Sequence, residues 1–398
     1  MKIEITTFHR RKTKMKTFLG LLMISVMVIG LPKISYAQGE AAVPFLLLAP
    51  DSRAGAMGES GTGLADNSAA IFWNPAGIAF LTGTELSITH SNWLPQFNLD
   101  LFYDYLTYRG YFESLNGSVT ASITYMNYGE FTRTLEVGPE PVGKFRSFDA
   151  AFTAGYATKL GIDWGLGFNF RVIYSRLSDQ PVGQEQGSGS ATSVSFDVGG
   201  MWRPSDLNIF GADFSNRLSI GANLSNLGPK IHYIDRSQAD PIPTNFRLGF
   251  AFNLLNDEFN SLVYTLDFSK LLVKRDSSGN SDEFYQAIFT AWGDQSFSEE
   301  IRDVVTSMGL EYMYGTPGDF LFALRTGFFY EDPSFGNRKF LTFGAGLRYD
   351  IYGFDFSYIT TSVFKGGENH PLNDTLRFTV LIGWGAVPDP VRGLPRGI

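Results

Sequence analysis

Apolar and polar residues alternate one by one along most of the chain, in runs of roughly ten residues. In the last run every second residue is apolar: Leu376, Phe378, Val380, Ile382 and Trp384. Successive side chains of a β-strand point to opposite faces, so this period of two predicts a strand with one apolar and one polar face. An apolar outer face and a polar inner face are typical of the wall of a membrane β-barrel.

The runs predict fourteen strands. Their predicted bounds are 84–93, 99–109, 117–128, 147–158, 164–176, 191–202, 217–226, 244–254, 261–271, 306–315, 320–330, 340–349, 353–361 and 374–385. An even number suits closure of a bacterial outer-membrane barrel. The sequence therefore predicts an all-β fold, a 14-stranded antiparallel transmembrane β-barrel over residues 84–385. A soluble β-sandwich also alternates, but its faces are seldom this aromatic.

The lengths of the predicted connections give the barrel an orientation. Connections after odd-numbered strands are mostly long, and those after even-numbered strands are mostly short. Outer-membrane barrels keep short turns in the periplasm and long loops outside. We therefore expect an integral protein of the outer membrane with both termini periplasmic, including the tail at 386–398, and with the 272–305 excursion extracellular. The 203–216 connection fits this alternation poorly.

Composition excludes several classes of protein. The 398 residues include 36 Phe and 18 Tyr, yet the mean hydropathy is near zero, so the chain lacks the apolar runs of about 20 residues that a helical membrane bundle needs. The chain has no Cys, which excludes disulfides and thiolate sites. A net charge of −8, with no basic cluster beyond residue 16, argues against a nucleic-acid partner.

Residues 1–37 have the anatomy of a secretory signal peptide. Basic residues from Arg10 to Lys16 precede an apolar stretch from Phe18 to Leu31, and small residues at Ser35 and Ala37 precede a plausible cut before Gln38. A single membrane anchor is the alternative, but the apolar stretch is too short to span a bilayer comfortably.

The segment 38–83 lacks the two-residue period and is rich in Gly and Ala. Asp66, Asn67 and Ser68 offer side-chain oxygens to cap a short helix over 69–72, which Asn74-Pro75 should end. Because this segment carries several large apolar residues, we expect it to form a hatch inside the barrel lumen. A free periplasmic tail is the alternative.

Two predicted external connections carry apolar side chains. In the 272–305 excursion, Ser298, Glu299 and Glu300 form an acidic, cap-like start to a helical face. The apolar residues of this excursion and of the 227–243 connection are our candidate partner-contact residues: Phe284, Tyr285, Ile288, Phe289, Trp292, Ile301, Val304, Ile231, Tyr233 and Ile234. A lid that packs on itself is the alternative reading.

The sequence contains no constellation that predicts catalysis, a metal site or a bound cofactor. Neither a His-Glu-x-x-His nor a Gly-x-Ser-x-Gly motif is present. The polar strand faces carry charges of both signs: Asp149, Arg171, Asp197, Arg247, Asp267, Arg325, Arg348, Asp355 and Arg377. We expect these charges to pair within the lumen as structural filling around the hatch, and we do not predict an enzyme.

The predicted hatch contains two motifs. They are the run Leu48-Ala49-Pro50-Asp51-Ser52-Arg53-Ala54-Gly55-Ala56-Met57-Gly58-Glu59 and the step Phe72-Trp73-Asn74-Pro75-Ala76-Gly77, with Asp66-Asn67-Ser68-Ala69-Ala70 between them. Together they resemble the amino-terminal region of the PorV family, outer-membrane proteins of the Bacteroidetes type IX secretion system. The Asn-Pro-Ala-Gly step alone also occurs across the wider FadL-like barrels. On the motif positions, the hatch residues singled out are Arg53, Gly55, Met57, Gly58, Phe72, Trp73, Asn74 and Pro75.

The resemblance implies a function. PorV-like proteins have a 14-stranded FadL-type barrel and associate with the translocon barrel SprA, also called Sov. They accept secreted cargo through its carboxy-terminal signal domain, and they pass it to a surface attachment complex that contains the sortase PorU. They do this by protein contact within the outer-membrane lipid, without a cofactor.

Two other functions stay open at this point. One is a FadL-like transporter of a hydrophobic small molecule, in which hatch residues near Phe72 and Trp73 line a pocket. The other, which the sequence supports least, is an enzyme acting on lipopolysaccharide.

Overall fold

The computed structural model describes six stretches of the chain. They are residues 41–135, 138–178, 189–233, 238–276, 279–316 and 319–386. The predicted signal peptide, residues 38–40, Ile234 and residues 387–398 of the predicted tail lie outside the described residues.

Within these stretches the dominant elements are sixteen β-strands. They are β1 Thr84–Asn92, β2 Phe102–Phe112, β3 Gly117–Leu135, β4 Gly138–Leu160, β5 Trp164–Arg176, β6 Ser190–Trp202, β7 Asn208–Ile209, β8 Ala212–Asp213, β9 Leu218–Leu227, β10 Asn245–Asn256, β11 Asn260–Leu271, β12 Val305–Gly315, β13 Phe320–Tyr330, β14 Lys339–Tyr349, β15 Tyr352–Thr360 and β16 Leu376–Trp384.

Fourteen of these strands close into one antiparallel barrel, which confirms the predicted fold class. The barrel closes where β1 pairs with β16, from Thr84↔Trp384 to Asn92↔Leu376. The short strands β7 and β8 form a separate hairpin. This hairpin lies in the 203–216 connection, which explains why that connection is longer than its neighbours.

One predicted connection is wrong. Residues 129–146 were expected to form a loop, but β3 and β4 continue as a paired ribbon to Leu135 and from Gly138. A bulge interrupts the pairing between Asn127 and Glu130, where Gly129 has a φ of 82°. A bulge inserts an extra residue and shifts the two-residue period. The alternation therefore breaks in the sequence although the strands go on.

The two faces of the wall are sorted as the alternation predicts. In β5, five outward residues from Trp164 to Tyr174 are exposed and Leu166 is half-buried, whereas Asn169, Arg171 and Ile173 are buried. Outward rings form a row across five strands, with centroid distances of 5.5–6.0 Å. The members of this row are His90, Phe102, Tyr125, Phe148 and Tyr174. Aromatic rows of this kind mark the interfaces of a membrane barrel.

The four α-helices of the described ranges are short. They are α1 Ser52–Gly55, α2 Ala70–Trp73, α3 Phe284–Thr290 and α4 Phe297–Arg302. Additional 3-10 turns span Pro44–Leu47, Pro75–Phe80, Pro95–Phe97 and Glu113–Leu115. None of the helices in the described ranges is long and apolar enough to cross a membrane.

The apolar core lies inside the barrel. We call residues 41–83 the hatch. Its buried side chains, such as Phe45, Ile71 and Ile78, form one cluster with the inward-facing Tyr103 and Ile173 of the wall. The outer face of the wall contacts lipid, so no protein core packs against it. The hatch supplies the side chains that pack inside the lumen.

The end of the barrel that carries the connections 228–244 and 272–304 is called the long-loop end below. The opposite end carries the tight turns 161–163, 257–259 and 350–351 and the β7–β8 hairpin.

Candidate functional site

Arg53 of the hatch motif connects the hatch to the wall through ion pairs. Its side chain is 3% exposed. Nε and Nη2 donate to the two carboxylate oxygens of Glu311 on β12, at 2.8 and 2.7 Å, and Nη1 pairs with Asp66 of the hatch. A guanidinium that bonds a carboxylate through two nitrogens fixes both distance and orientation. Arg53 therefore sets where the first half of the hatch lies in the lumen.

The pairing continues around the wall. Glu311 also accepts from Arg325 at 2.6 Å, Arg325 donates to Asp355 at 2.7 Å, and Arg348 donates to Asp355 at 2.7 Å. Charges alternate along this chain from Asp66 to Arg348, with three of each sign. A buried charge is tolerated when it is paired and hydrogen-bonded. The predicted pairing of the lumen charges is thus confirmed for Arg325, Arg348 and Asp355, and also for Arg171 with Asp197 at 2.7 Å.

Two buried carboxylates of the lumen escaped the sequence analysis: Glu311, which belongs to this chain of charges, and Glu85, which pairs with Arg109. Glu311 lies among Leu310, Tyr312 and Met313, and Glu85 lies at the start of β1, so neither belongs to a run of polar residues. Both carboxylates occupy inward-facing positions in the two-residue alternation of their strands. Their positions in this alternation were the signal from which the sequence could have identified them.

The glycines and Met57 of the hatch motif let the main chain of the hatch lie directly against the main chain of the barrel wall. Gly58 has a φ of 67°, and a Cβ there would lie 2.7 Å from the main-chain nitrogen of Phe328. Its N–H donates to Thr342 Oγ1 at 2.8 Å. Met57 contacts wall glycines, including Gly309, so closely that a side chain at those glycines would overlap with it. Glycine on both sides permits this close contact.

Phe72 and Trp73 flank the guanidinium of Arg247. The Arg247 carbon lies 4.7 Å from the Phe72 ring centre and 5.0 Å from the Trp73 ring centre, which is cation–π distance. The indole N–H of Trp73 donates to Asp51 at 2.7 Å. Asp51 also caps α1 by accepting from the Ala54 N–H at 3.0 Å. The motif that contains Trp73 is therefore hydrogen-bonded to the motif that contains Asp51.

Asn74 and Pro75 end α2 as predicted, and Asn74 Oδ1 accepts from the Ala76 N–H at 3.1 Å. The predicted cap at the other end is wrong, because the N-cap residue is Ala69 and it has no side-chain hydrogen bond. The expected cap residues bond elsewhere: Asp66 pairs with Arg53, and the Ser68 N–H donates to Glu85 at 2.8 Å.

The cavity beside these residues is small. The cavity bordered by Asp51, Arg53 and Trp73 has a volume of about 10 Å³. Sites for small molecules measure hundreds of cubic ångströms. This cavity is therefore too small to be the pocket expected near Phe72 and Trp73 under the transporter alternative.

The 272–304 excursion contains two helices with capping boxes. At α3 the box is formed by Glu283 and Gln286, and at α4 by Ser296 and Glu299. The helix predicted here exists, but Ser296 caps it instead of Ser298. The hydrogen bonds from Ser296 lower the pKa of Glu299. Each helix is too short to be stable alone. The capping boxes and the contacts between the excursion and the barrel wall therefore hold the excursion in place.

The underside of the excursion rests on the outer face of the wall. Lys270 of β11 is opposite Phe246 of β10, and both are on the outward face. Lys270 pairs with Asp303 and, at 2.9 Å, with Glu300. The Trp292 ring lies 5.7 Å from the Phe246 ring and 5.9 Å from the Lys270 ammonium. The helices therefore lie over the rim of β10 and β11.

A further ion pair joins α4 to the β13–β14 connection. Arg302 donates to Asp332 at 2.9 Å. Partial burial alone would raise the pKa of Asp332, but the hydrogen bonds from Arg302 and Ser334 outweigh it and hold this pKa below its usual range. The hydrogen bond with Asp332 also raises the pKa of Arg302.

The upper side of the excursion is apolar and exposed. Phe289 is 77% and Phe297 is 80% exposed. We call the five exposed large apolar side chains of this excursion the α3–α4 surface; they are Tyr285, Phe289, Trp292, Phe297 and Ile301. Phe297 was missed because it lies in the predicted acidic start of the helix. The other candidate residues of this excursion, Phe284, Ile288 and Val304, are half-buried.

The 228–244 connection turns inward over the lumen. Ile231 is 2% exposed and belongs to the same apolar cluster as the hatch, and the Tyr233 hydroxyl donates to Ser175 of the inner wall at 2.8 Å. In this arrangement Ile231 has no surface to offer a partner. The prediction that Ile231 contacts a partner is therefore wrong, because Ile231 packs into the apolar lumen below the loop.

A cleft of about 950 Å³ opens beside this connection. One wall is the upper part of β6 at Thr192–Val194, and the other is formed by Lys230, Asp240, Arg275 and Glu283 among others. Lys230 pairs with Glu283 at 3.2 Å, and Arg275 pairs with Asp240 at 2.7 Å. These pairs join the 228–244 and 272–304 connections. Nothing in the local sequence indicates the cleft, because its walls come from three separate segments.

The histidines of the described ranges lie apart from one another. His232 borders the cleft, and His90 pairs with Asp104 at 2.7 Å on the outer face. Burial, together with the positive charge of Arg338, lowers the pKa of His370, whose Nδ1 accepts from the Leu372 N–H at 3.2 Å. Within the described residues, no group of three or more His, Asp or Glu is placed to hold a metal ion.

Comparison with known proteins gave one family and several structures. The family model for the type IX secretion system protein PorV matches residues 37–277. No curated protein matches the chain.

The similar solved structures include three with about 10% sequence identity. The Ralstonia pickettii toluene transporter TbuX is 11% identical over 83% of this chain and 96% of its own, with a TM-score of 0.43. The Pseudomonas putida toluene transporter TodX is 10% identical over 89% and 98%, with a TM-score of 0.44. A Pseudomonas aeruginosa FadL homologue is 10% identical over 84% and 97%, with a TM-score of 0.43.

The Arg53 ion pairs generate a stability prediction. Arg53→Ala leaves Glu311 and Asp66 without this partner in the lumen, so we expect it to lower the free energy of unfolding by about 3–5 kcal/mol. Urea unfolding of the purified barrel, followed by gel mobility before and after heating, measures this. The control is Lys144→Ala, which removes an exposed pair with Glu130 and should cost about 0–1 kcal/mol. Equal losses in the two variants would contradict the role assigned to Arg53.

The contacts beneath α3 and α4 generate a second prediction. Lys270→Ala removes the cation that pairs with Glu300 and Asp303, so the excursion should be cleaved by a protease at least about tenfold faster while the barrel resists. Limited proteolysis followed by mass spectrometry gives the rate. Lys365→Ala, at an exposed position in another long connection, is the control. Unchanged cleavage within 279–304 would show that Lys270 does not hold the helices down.

Proposed function

Since this chain belongs to the PorV family of type IX secretion system proteins, we propose that it receives secreted cargo at the outer membrane and hands it on by protein contact. In this proposal it binds the carboxy-terminal signal domain of the cargo, associates with the SprA (Sov) translocon barrel, and delivers the cargo to the attachment complex that contains PorU. The long-loop end faces the cell exterior, and both termini face the periplasm.

The α3–α4 surface is the observation that carries the proposal. Five large apolar side chains are displayed on two capped helices and the turn between them. Ion pairs to Lys270 and Asp332 hold α4 against the rim. Exposed apolar clusters of this kind are characteristic of protein interaction sites. A surface that is already ordered loses little conformational entropy on binding. Its position over β10 and β11 suits a partner that lies beside the barrel in the same membrane.

The filled lumen supports contact over transport. The hatch is bonded to the wall through Arg53 and through Asp267, which accepts from the main-chain N–H groups of Gly61 and Thr62 at 2.9 and 2.7 Å. A path for a small molecule would require these bonds to break together. Cargo handling at the rim requires no such change.

The proposal predicts a loss of partner binding without a loss of fold. Phe289→Ser combined with Phe297→Ser removes the two most exposed rings of the α3–α4 surface, and buried aromatic anchors commonly contribute about 2 kcal/mol or more each to binding. We therefore expect co-purification with SprA from native membranes to fall at least about tenfold. The double variant should keep the shift in gel mobility on heating that marks a folded barrel.

The matched control is Phe210→Ser, because Phe210 is even more exposed than Phe289 and Phe297 but lies in the hairpin at the opposite end of the barrel. It should leave co-purification unchanged. Undiminished co-purification of the double variant would move the SprA contact away from the α3–α4 surface. Normal surface display of cargo in cells that lack this protein would contradict the proposed function as a whole.

A further inference from the structure

The β7–β8 hairpin carries a phenylalanine at its tip in a conformation that phenylalanine disfavours. Phe210 and Gly211 join the two strands as a two-residue turn, and their φ angles are 50° and 77°. A turn with two left-handed residues prefers Asn-Gly, and a bulky residue is strained there. The Phe210 ring is also fully exposed. Both the backbone and the surrounding water therefore disfavour Phe210 at this position unless its ring contacts another molecule.

The hairpin has one polar and one apolar face. Cross-strand partners lie on the same face of a ladder, and the next pair along lies on the opposite face. Asn208 pairs with Asp213, and both are exposed. The pairs on the other face are apolar: Leu207 with Phe214, and Ile209 with Ala212. A two-faced element of this kind suits the boundary between water and an apolar phase.

Phe214 directs the apolar face toward the lipid-facing side of the wall. Its ring centre lies 5.6 Å from that of Phe252 on β10. Phe252 is outward-facing, because it has the same phase in the strand as Phe246 and alternates with buried residues such as Ala251. The apolar face of the hairpin is therefore continuous with the outer face of the barrel, which contacts lipid.

The base of the hairpin lies at the aromatic margin of the wall. Trp202 ends β6 just before the hairpin, and its ring stacks on that of Trp164 with centres 6.0 Å apart. Aromatic girdles mark the edges of the lipid layer in membrane barrels. The Ser205 N–H donates to Asp163 of the turn between β4 and β5 at 2.9 Å. The hairpin therefore begins at the membrane boundary, and its base is bonded to a neighbouring turn.

We propose that the β7–β8 hairpin is a membrane anchor, which inserts Phe210 and Ile209 into the lipid beside the wall at the end opposite the long-loop end. The partner is lipid, because Phe214 joins the apolar face of the hairpin to the lipid-facing ring of Phe252. Transfer of the Phe210 ring into lipid offsets the strain at the turn. The α3–α4 surface lies at the other end of the barrel, so Phe210→Ser remains a suitable control for partner binding there.

Spin labels on the two faces of the hairpin test the proposal. Because the chain has no Cys, Ala212→Cys on the apolar face and Asn208→Cys on the polar face each give a single labelling site. The purified full-length protein is reconstituted in vesicles of phosphatidylethanolamine and phosphatidylglycerol. Oxygen, which concentrates in lipid, should relax the Ala212→Cys label more strongly than a water-soluble nickel chelate does. The Asn208→Cys label should show the reverse.

Phe210→Asn separates insertion from folding. Asn-Gly is a preferred sequence for this turn, so the hairpin should form at least as well. Loss of the ring should lower the ratio of inserted to uninserted hairpin by about tenfold or more, as expected for one Phe side chain. The Ala212→Cys label should then become accessible to the nickel chelate. The control is Phe131→Asn, which removes an exposed ring from the β3–β4 ribbon and should leave this label unchanged.

Three results would overturn the inference. The first is equal access of the nickel chelate to the Ala212→Cys and Asn208→Cys labels in vesicles. The second is a label response that Phe210→Asn leaves unchanged. The third is an Ala212→Cys label that is exposed to water in vesicles but shielded in native membranes, because the hairpin would then bind a protein instead of lipid. Gel mobility on heating checks that every variant folds.

Discussion

The constraint on which this structure depends is that the outer face of the wall meets lipid, so the packed core must be built inside. A 14-stranded wall encloses more space than its inward side chains fill. The hatch occupies that space, and Arg53 fixes its position by bonding Glu311 and Asp66 at once. Because Glu311 also holds Arg325, the hatch and the wall share one chain of alternating charges. Removing the hatch would leave both an empty lumen and unpaired charges.

The same constraint explains which parts of the fold the sequence predicts. A strand between lipid and a polar lumen must alternate strictly, so the bounds of β5 and β13 follow directly from the pattern. Where no lipid imposes the period, as in the β3–β4 ribbon beyond its bulge, the pattern fades although the strands continue. The prediction of the capping residues of α2 was wrong for a related reason. Asp66 and Ser68 have stronger partners in Arg53 and Glu85 than the helix end offers.

The candidate sites at the long-loop end were harder to predict than the fold. The excursion was recognised from its apolar residues, but the sequence could not tell which of them face outward, as Phe289 does, and which cover the lumen, as Ile231 does. The position of α4 depends on Lys270, which pairs with Glu300 and Asp303. The position of Ile231 depends on its packing in the apolar cluster of the hatch. The cleft beside β6 depends on three segments far apart in the chain. In the proposed function the hatch stabilises the barrel, and the rim provides the contacts with partners.

The most direct test of this account is to lock the hatch shut. Ser68 of the hatch and Ser87 of β1 have side-chain oxygens 3.1 Å apart, and the chain has no native Cys, so Ser68→Cys with Ser87→Cys can form a single disulfide between hatch and wall. The measurement is surface display of signal-bearing cargo in cells that carry the oxidised variant. The account predicts display equal to that of the unsubstituted protein, because the proposed contacts at the rim require no opening of the lumen. Display that is lost on oxidation and restored by a reductant would contradict it.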